Sequence, residues 1–242
     1  MDLSSQFTPD LTPPQLDKEY DVSPTSKQTR LHLIHKLAWF PQLLEQYLTE
    51  EEHQKEINLK TTGGWTVLHI ACRNGLLDSV KILLQYDITD VNLSTNSEWV
   101  PLAFASKYSY KEIIILLINH PNINVNYRPT YGWTVLNILC WYSNDIECLE
   151  LLLQHPKINV NLATRLGASA ITLAFRNKNY NFVDRLLQVE NINLPNDPEL
   201  LSYAYNYKCQ QNKELTSRLN ELKRVKELDI GSLLFTNCKQ YF

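Results

Sequence analysis

Three tryptophans recur at an interval of 34 residues: Trp65, Trp99 and Trp133. The residues around them recur as well, in the stretches 64–69, 98–103 and 132–137, and a weaker copy follows one residue late at 167–172. Self-similarity at a fixed period of this size is typical of stacked supersecondary units, each too small to bury its own apolar face. The repetition therefore predicts an elongated array, and it favours a binding surface over a catalytic pocket.

Charge and hydropathy narrow the class of protein further. The 242 residues carry 23 Lys and Arg against 26 Asp and Glu, and the pI is about 6.1. A binder of nucleic-acid backbones would show a basic stripe, so we expect no nucleic-acid partner. No apolar run approaches the ~20 residues that a membrane helix needs, and the N-terminus lacks the layout of a signal peptide. We expect a cytoplasmic protein that does not insert into membranes.

The cysteines indicate reduced thiols. They are Cys72, Cys140, Cys148, Cys209 and Cys238. Their number is odd and no two form a Cys-x-x-Cys pair, which argues against a disulfide framework. Cys72 and Cys140 occupy the same place in two repeats, where a small buried side chain is wanted. We expect these two thiols to be buried and chemically inert.

Each repeat contains two apolar helical stretches separated by a turn. In the first full repeat the turn is Asn74-Gly75, where glycine takes the left-handed conformation at little cost. The corresponding turns, at 108–109, 143–144 and 177–178, predict asparagine in that conformation where it is present. Alternating segments follow the second stretches, as in Ile123-Asn124-Val125-Asn126, and predict extended strands entering a turn. One extra residue falls between Trp141 and Leu149.

On these residues the sequence resembles the ankyrin-repeat family. The family pattern Gly-x-Thr-Pro-Leu-His-x-Ala is met closely by Gly64-Trp65-Thr66-Val67-Leu68-His69-Ile70-Ala71, and in part at 100–105 and 134–139. Only Pro101 keeps the proline. The resemblance covers about residues 27–210. It implies an all-α ankyrin-repeat solenoid of helix-turn-helix units with short β-hairpin connectors, in which His69 is structural and bonds backbone near the interface between repeats.

The repeat boundaries follow from the period. We expect a flexible leader at 1–26, a degenerate N-terminal cap at 27–60 and full repeats at 61–94, 95–128, 129–163 and 164–195. A degenerate C-terminal cap follows at 196–209, and an amphipathic helix and tail at 210–242.

The resemblance also implies where a partner binds. In ankyrin stacks the connector tips and the exposed face of the first helices form a concave groove. The predicted partner-binding residues at those positions are Trp65, Arg73, Trp99, Lys107, Tyr108, Tyr131, Trp133, Trp141, Tyr142, Arg165 and Arg176. This strip is aromatic in its middle and carries only basic charge. We expect a monomer that binds an acidic or partly apolar protein segment. An alternative for the three repeating tryptophans is that they pack on neighbouring connectors.

Motifs for catalysis are absent from the sequence. It has no Gly-rich phosphate loop, no His-Glu-x-x-His, no Gly-x-Ser-x-Gly and no paired metal-ligand spacing, so we expect no enzyme, cofactor or metal. Two other functions stay open: an effector with enzymatic activity at Cys209 or Cys238, and an adaptor for ubiquitin-ligase machinery. The tail is either a cap over the end of the stack or a docking or secretion segment. Bacterial type IV effectors are similar in combining ankyrin stacks with C-terminal export signals, which would place the protein in a host cell.

Overall fold

A computed structural model describes residues 33–211, and every regular element in that range is a helix. The first described residues, 33–37, are helical and are labelled α1. The further helices are α2 Pro41–Leu48, α3 Glu51–Gln54, α4 Val67–Arg73, α5 Leu77–Leu83, α6 Pro101–Lys107, α7 Lys111–Ile118, α8 Val135–Tyr142, α9 Ile146–Leu153, α10 Ala170–Arg176, α11 Tyr180–Leu187 and α12 Pro198–Gln211.

The helices form two layers along the stack. The first helices of the units, α4, α6, α8 and α10, pack on one another, and so do the second helices, α5, α7, α9 and α11. Contact is more extensive between neighbouring first helices than between neighbouring second helices. Helix α2 packs on α5 at one end, and α12 packs on α11 at the other. Helix α12 continues to Gln211 without a break, across the boundary predicted between 209 and 210.

Local sequence sets where the short helices begin. The Thr66 side chain accepts the amide N–H of His69, and Thr134 accepts that of Asn137, so both cap the first helices of their units. Pro101 begins α6, where its missing N–H costs nothing. Helices of seven or eight residues are not stable in water by themselves, since about 12–15 residues are needed. Each unit therefore depends on its neighbours.

A leucine at the same position of each second helix forms the centre of the core. Leu83, Leu117, Leu152 and Leu186 are all 0% exposed, and each contributes on the order of 1.5–3 kcal/mol. Cys72 and Cys140 are also 0% exposed, and burial raises the pKa of both thiols far above the usual range. This agrees with the prediction of buried, inert thiols.

The structure corrects two predictions about the connections. The alternating segments are turns, closed by bonds such as the one from the Ile123 N–H to the His120 carbonyl, and no strand occurs between residues 33 and 211. Gly75 is left-handed, as predicted, but in the other turns the left-handed residues are Ser109 and Lys178, and neither Asn144 nor Asn177 takes that conformation. Helix register fixes which residue must reverse the chain, and this overrides the preference of asparagine.

The third inter-helix turn differs because of the extra residue. Helix α8 has eight residues where α4 and α6 have seven, which agrees with the predicted position of the insertion. Ser143 then has an extended backbone with φ −117° and ψ 152°, and the Asp145 side chain accepts the N–H groups of Glu147 and Cys148 to begin α9. A side-chain cap here replaces the left-handed turn of the other units.

One asparagine in each connector ties its unit to the next. The side-chain NH₂ of Asn92 donates to the Asn122 carbonyl at 2.6 Å, and its oxygen accepts the Asn124 N–H at 2.7 Å. The same pair of bonds, to residues about 30 further along the chain, is made by three other asparagines, Asn58, Asn126 and Asn161. Asparagine recurs in the sequence because its amide presents one donor and one acceptor.

We predict that Asn92→Ala lowers the free energy of unfolding by about 1–2 kcal/mol, because two hydrogen bonds between units are lost where water partly replaces them. Urea denaturation of the full chain measures this. Asn144→Ala, a change at an exposed turn asparagine, is the matched control and is expected to alter stability little. Equal effects of the two substitutions would contradict the role assigned to Asn92.

Candidate functional site

Four connector tips lie beside the first helices and reverse the chain at a left-handed residue. These residues are Gly64, Glu98, Gly132 and Gly167, with φ between 63° and 80°. Backbone bonds join neighbouring tips, from the Asn96 N–H to the Gly63 carbonyl and from the Arg165 N–H to the Tyr131 carbonyl, each 2.9 Å. The row of tips therefore forms a continuous edge above the first helices.

Glu98, which precedes Trp99 in the sequence, is the one acidic residue at these tips and is not among the predicted strip residues. Its carboxylate accepts the Thr130 N–H at 2.6 Å and also the Thr130 hydroxyl. Both bonds reach the following connector. The charge of Glu98 is thus engaged within the stack, where it helps to align the second and third tips.

His69 is a buried residue whose hydrogen bonds link the first repeat to the second connector tip. Its Nδ1 accepts the Thr66 N–H at 3.1 Å, which leaves the proton on Nε2 to donate to the Trp99 carbonyl at 3.0 Å. The ring is 0% exposed, and burial lowers the pKa of His69 to about 4, partly opposed by the bond to Trp99. His69 is therefore neutral at pH 7 and structural, in agreement with the prediction.

A buried phenylalanine joins the first two repeating tryptophans. The ring centroid of Phe104 lies 4.8 Å from that of Trp65 and 5.0 Å from that of Trp99. Phe104 was missed by the sequence reasoning, although a signal exists: the equivalent positions, Ile70 and Ile138, are aliphatic. Because Trp65 and Trp99 are half-buried against Phe104, the alternative interpretation, that these tryptophans pack on their neighbours, describes part of their role.

Two cations rest on these rings. The Arg73 guanidinium lies 5.4 Å from the Trp65 ring centroid. Lys107 Nζ lies 5.5 Å from the ring of Trp99, 5.4 Å from that of Tyr108 and 4.6 Å from that of Tyr142. Cation–π contacts of this kind contribute roughly 0.5–1 kcal/mol at exposed sites. The contacts of Lys107 fix the relative positions of Trp99 and Tyr108 in the second repeat and Tyr142 in the third.

The third repeat adds a partly exposed aromatic pair. Trp133 and Trp141 meet edge to face, with their centroids 6.2 Å apart; Trp133 is half-buried and Trp141 is 39% exposed. The aromatic face comprises this pair together with the contacts around Phe104 and Lys107, and its residues are Trp65, Arg73, Trp99, Phe104, Lys107, Tyr108, Trp133, Trp141 and Tyr142.

Three predicted residues lie beyond the aromatic face. Tyr131, which is 69% exposed, and Arg165 lie on adjoining connector tips. Arg176 is exposed at the end of α10 and borders an open depression of about 540 Å³, together with Leu166, Thr172 and Glu199. Ring and cation–π contacts among the described residues therefore join six of the eleven predicted positions in one network, and Trp133 and Trp141 form a separate pair. Tyr131, Arg165 and Arg176 are the remaining three.

The depression lies where a fifth connector tip would pack. A Cβ added to Gly64 would meet the backbone nitrogen of Asn96 at 2.6 Å, but one added to Gly167 would meet nothing within 4 Å. Leu166 is accordingly 96% exposed. The following unit makes only a tight turn, in which the Asp197 N–H donates to the Pro195 carbonyl and Asp197 then caps α12.

The stacked helix pairs and their connector tips define a repeat protein, and family comparison identifies which class. A model of three ankyrin repeats matches residues 31–129, and a model of a single ankyrin repeat matches residues 131–165. Together they cover more than half of the chain, which belongs to the ankyrin-repeat family. No curated protein matches the sequence. Ankyrin repeats are generally modules for protein–protein interaction, and proteins built from them are typically non-enzymatic scaffolds.

Two other kinds of feature are absent from the described residues. Between residues 33 and 211 no helix is long and apolar enough to cross a membrane. The same part of the chain contains no group of three or more His, Cys, Asp and Glu side chains that could hold a metal ion. The leader at 1–26 and the tail beyond Gln211 lie outside the described residues, as do the side chains of Cys209 and Cys238.

We predict that His69 makes stability depend on pH. The unfolded ring takes up a proton below about pH 6.5 and the folded ring only near 4, so stability is lost as the pH falls through that range. The chain offers a matched variant, His69→Asn, because Asn137 makes the equivalent bond to the Ala168 carbonyl without titrating. The difference in unfolding free energy between wild type and His69→Asn should shrink by roughly 3 kcal/mol from pH 7.5 to pH 4.

Urea denaturation at several pH values measures the difference. His120→Asn changes a histidine that is not buried in the core and serves as the control. A gap between wild type and His69→Asn that stays constant with pH would contradict the argument.

Proposed function

We propose that this chain is an interaction scaffold that binds a segment of another protein on the aromatic face. The observation that carries the proposal is the fixed arrangement of partly exposed rings around Lys107, which joins Trp99, Tyr108 and Tyr142. A surface whose side chains are already ordered loses little conformational entropy when a partner binds. Such preorganised aromatic surface is suited to recognition.

The composition of the face supports the same proposal. Trp, Tyr and Arg are enriched at binding hot spots, because they offer large contact area and a polar group on few rotatable bonds. Trp141 in α8 and Tyr108 directly after α6 keep 39% and 41% of their surface exposed, whereas most apolar side chains of the first helices are buried. A partner that covered these two rings would remove apolar area from water.

The chemistry of the described side chains favours binding over catalysis. Both ring nitrogens of His69 are engaged in hydrogen bonds, and Cys72 and Cys140 are buried with raised thiol pKa values. Nucleophilic catalysis needs an accessible thiolate or an activated hydroxyl, which these groups do not supply. Enzymatic activity at Cys209 or Cys238 and an adaptor role in ubiquitin ligation remain the alternatives that the binding proposal competes with.

We predict that Trp133→Ala/Trp141→Ala/Tyr142→Ala abolishes capture of the partner in an affinity pull-down from eukaryotic lysate, because the exposed rings are removed. The control is Ile115→Ala/Ile146→Ala, since these side chains are as exposed as Trp141, at 39% and 38%, but lie on the second helices. Circular dichroism checks that both variants remain folded. A partner that still binds the folded triple variant would place the site elsewhere on the chain.

An effector role is a separate proposal and depends on residues 229–242. If this segment is an export signal, its deletion should abolish translocation in a type IV secretion reporter assay while the melting temperature of the stack stays unchanged. If deletion lowers the melting temperature, the segment acts as a cap. Translocation that survives the deletion would remove the support for an effector from this segment.

A further inference from the structure

The basic residues on the two sides of the stack differ in whether they form ion pairs. On the second helices the basic residues are paired: Lys81 with Asp78 at 3.3 Å, Lys111 with Glu147 at 2.6 Å, and Arg185 with Glu150 through two hydrogen bonds. On the first-helix side, Lys107, Arg165 and Arg176 have no carboxylate within ion-pair distance among residues 33–211. The side that carries the aromatic face therefore also carries basic groups that no ion pair within this range holds, although Asp197 and Glu199 line the same depression as Arg176 and Glu98 lies on the second tip.

These cations have a fixed order along the stack. Lys107 lies within the aromatic face, at the junction of the second and third repeats. Arg176 follows one repeat after Trp141, at the equivalent helix position, and the neighbouring Asn177 side chain donates to the Trp141 carbonyl at 2.9 Å. Arg165 lies on the connector tip of the same repeat, where its N–H bonds the Tyr131 carbonyl of the preceding tip. The aromatic residues of the third repeat are thus followed, one repeat later, by two basic residues.

The distance between the aromatic residues of the third repeat and the basic residues of the fourth sets how far apart the contacting side chains of the ligand must be. Neighbouring packed helices have their axes about 8–10 Å apart. An extended peptide advances about 3.3 Å per residue. A side chain that contacts Trp133 and Trp141 is therefore followed about three residues later by one that reaches Arg165 and Arg176. The open depression beside Arg176 leaves room for the chain to continue.

Resting on the function proposed above, we propose that the partner segment is an extended acidic peptide. It places an apolar or aromatic side chain on Trp133 and Trp141, and an Asp or Glu about three residues away at Arg165 and Arg176. Guanidinium groups bind carboxylates with two parallel hydrogen bonds, which makes this end of the site selective for acid side chains.

The test uses a displayed library of random 12-residue peptides selected on the full chain. Enriched peptides should carry an apolar residue about three positions from an Asp or Glu. A fluorescent synthetic copy should lose at least about tenfold in affinity for Arg165→Glu/Arg176→Glu, since opposite charges are replaced by like charges. Lys81→Glu/Lys157→Glu makes the same change in net charge away from this face and should leave the affinity unchanged.

Two further comparisons separate the outcomes. The synthetic peptide with Asn and Gln in place of Asp and Glu should bind more weakly, and 0.5 M NaCl should weaken the acidic peptide. Neutral enriched peptides that are lost on Trp133→Ala/Trp141→Ala would overturn the acidic ligand but keep the binding face. Peptides indifferent to both variants, or no enrichment, would overturn both proposals. A single-stranded oligonucleotide that binds as tightly and competes would overturn the peptide, since bases also stack on aromatic rings.

Discussion

The register of the stack depends on the pair of hydrogen bonds that one asparagine of each connector makes to the next connector. The asparagine amide bonds both a carbonyl and an N–H of the next connector, as Asn126 does with Lys157 and Asn159. The backbone groups of a turn have no ladder to satisfy them, so one side chain that donates and accepts is an efficient substitute. These bonds are neutral, and salt therefore screens them little. Apolar packing between units supplies most of the free energy, and the amides set the register.

On the first-helix side, two different side chains hold neighbouring repeats in register by the same kind of hydrogen bond. His69 bonds the Trp99 carbonyl, and Asn137 bonds the Ala168 carbonyl from the equivalent position. Both are 0% exposed and both are oriented by a threonine three residues earlier. The carbonyl that His69 bonds belongs to Trp99 itself, so a buried hydrogen bond holds the backbone that carries one ring of the aromatic face. The position of that ring therefore depends on His69.

The helices could be predicted from the sequence because they follow the repeat period, and the candidate binding positions follow from the same period. The sequence did not by itself show Phe104 as the ring between two tryptophans, although the isoleucine at the same position of two other repeats marks Phe104 as different. Nor could it predict that Ser109 and Lys178 take the left-handed conformation. That choice depends on where each helix ends, and a single residue added to α8 removes the left-handed turn altogether. The position of each repeat can be predicted from residues that are close in the sequence, whereas the contacts between repeats involve residues that are distant in the sequence.

Glu98 is an acidic residue on the same side of the stack as Lys107, Arg165 and Arg176, and the following connector holds its carboxylate. A glutamate at φ 63° is strained by roughly 1–2 kcal/mol, where the other three tips have glycine. The two bonds from Thr130 offset this strain and occupy the carboxylate oxygens. Glu98 therefore aligns the connectors without pairing with Lys107, Arg165 or Arg176. The acidic residues that pair with Lys81, Lys111 and Arg185 lie on the second helices, and Lys107, Arg165 and Arg176 on the first-helix side are not held in ion pairs by any of the described residues.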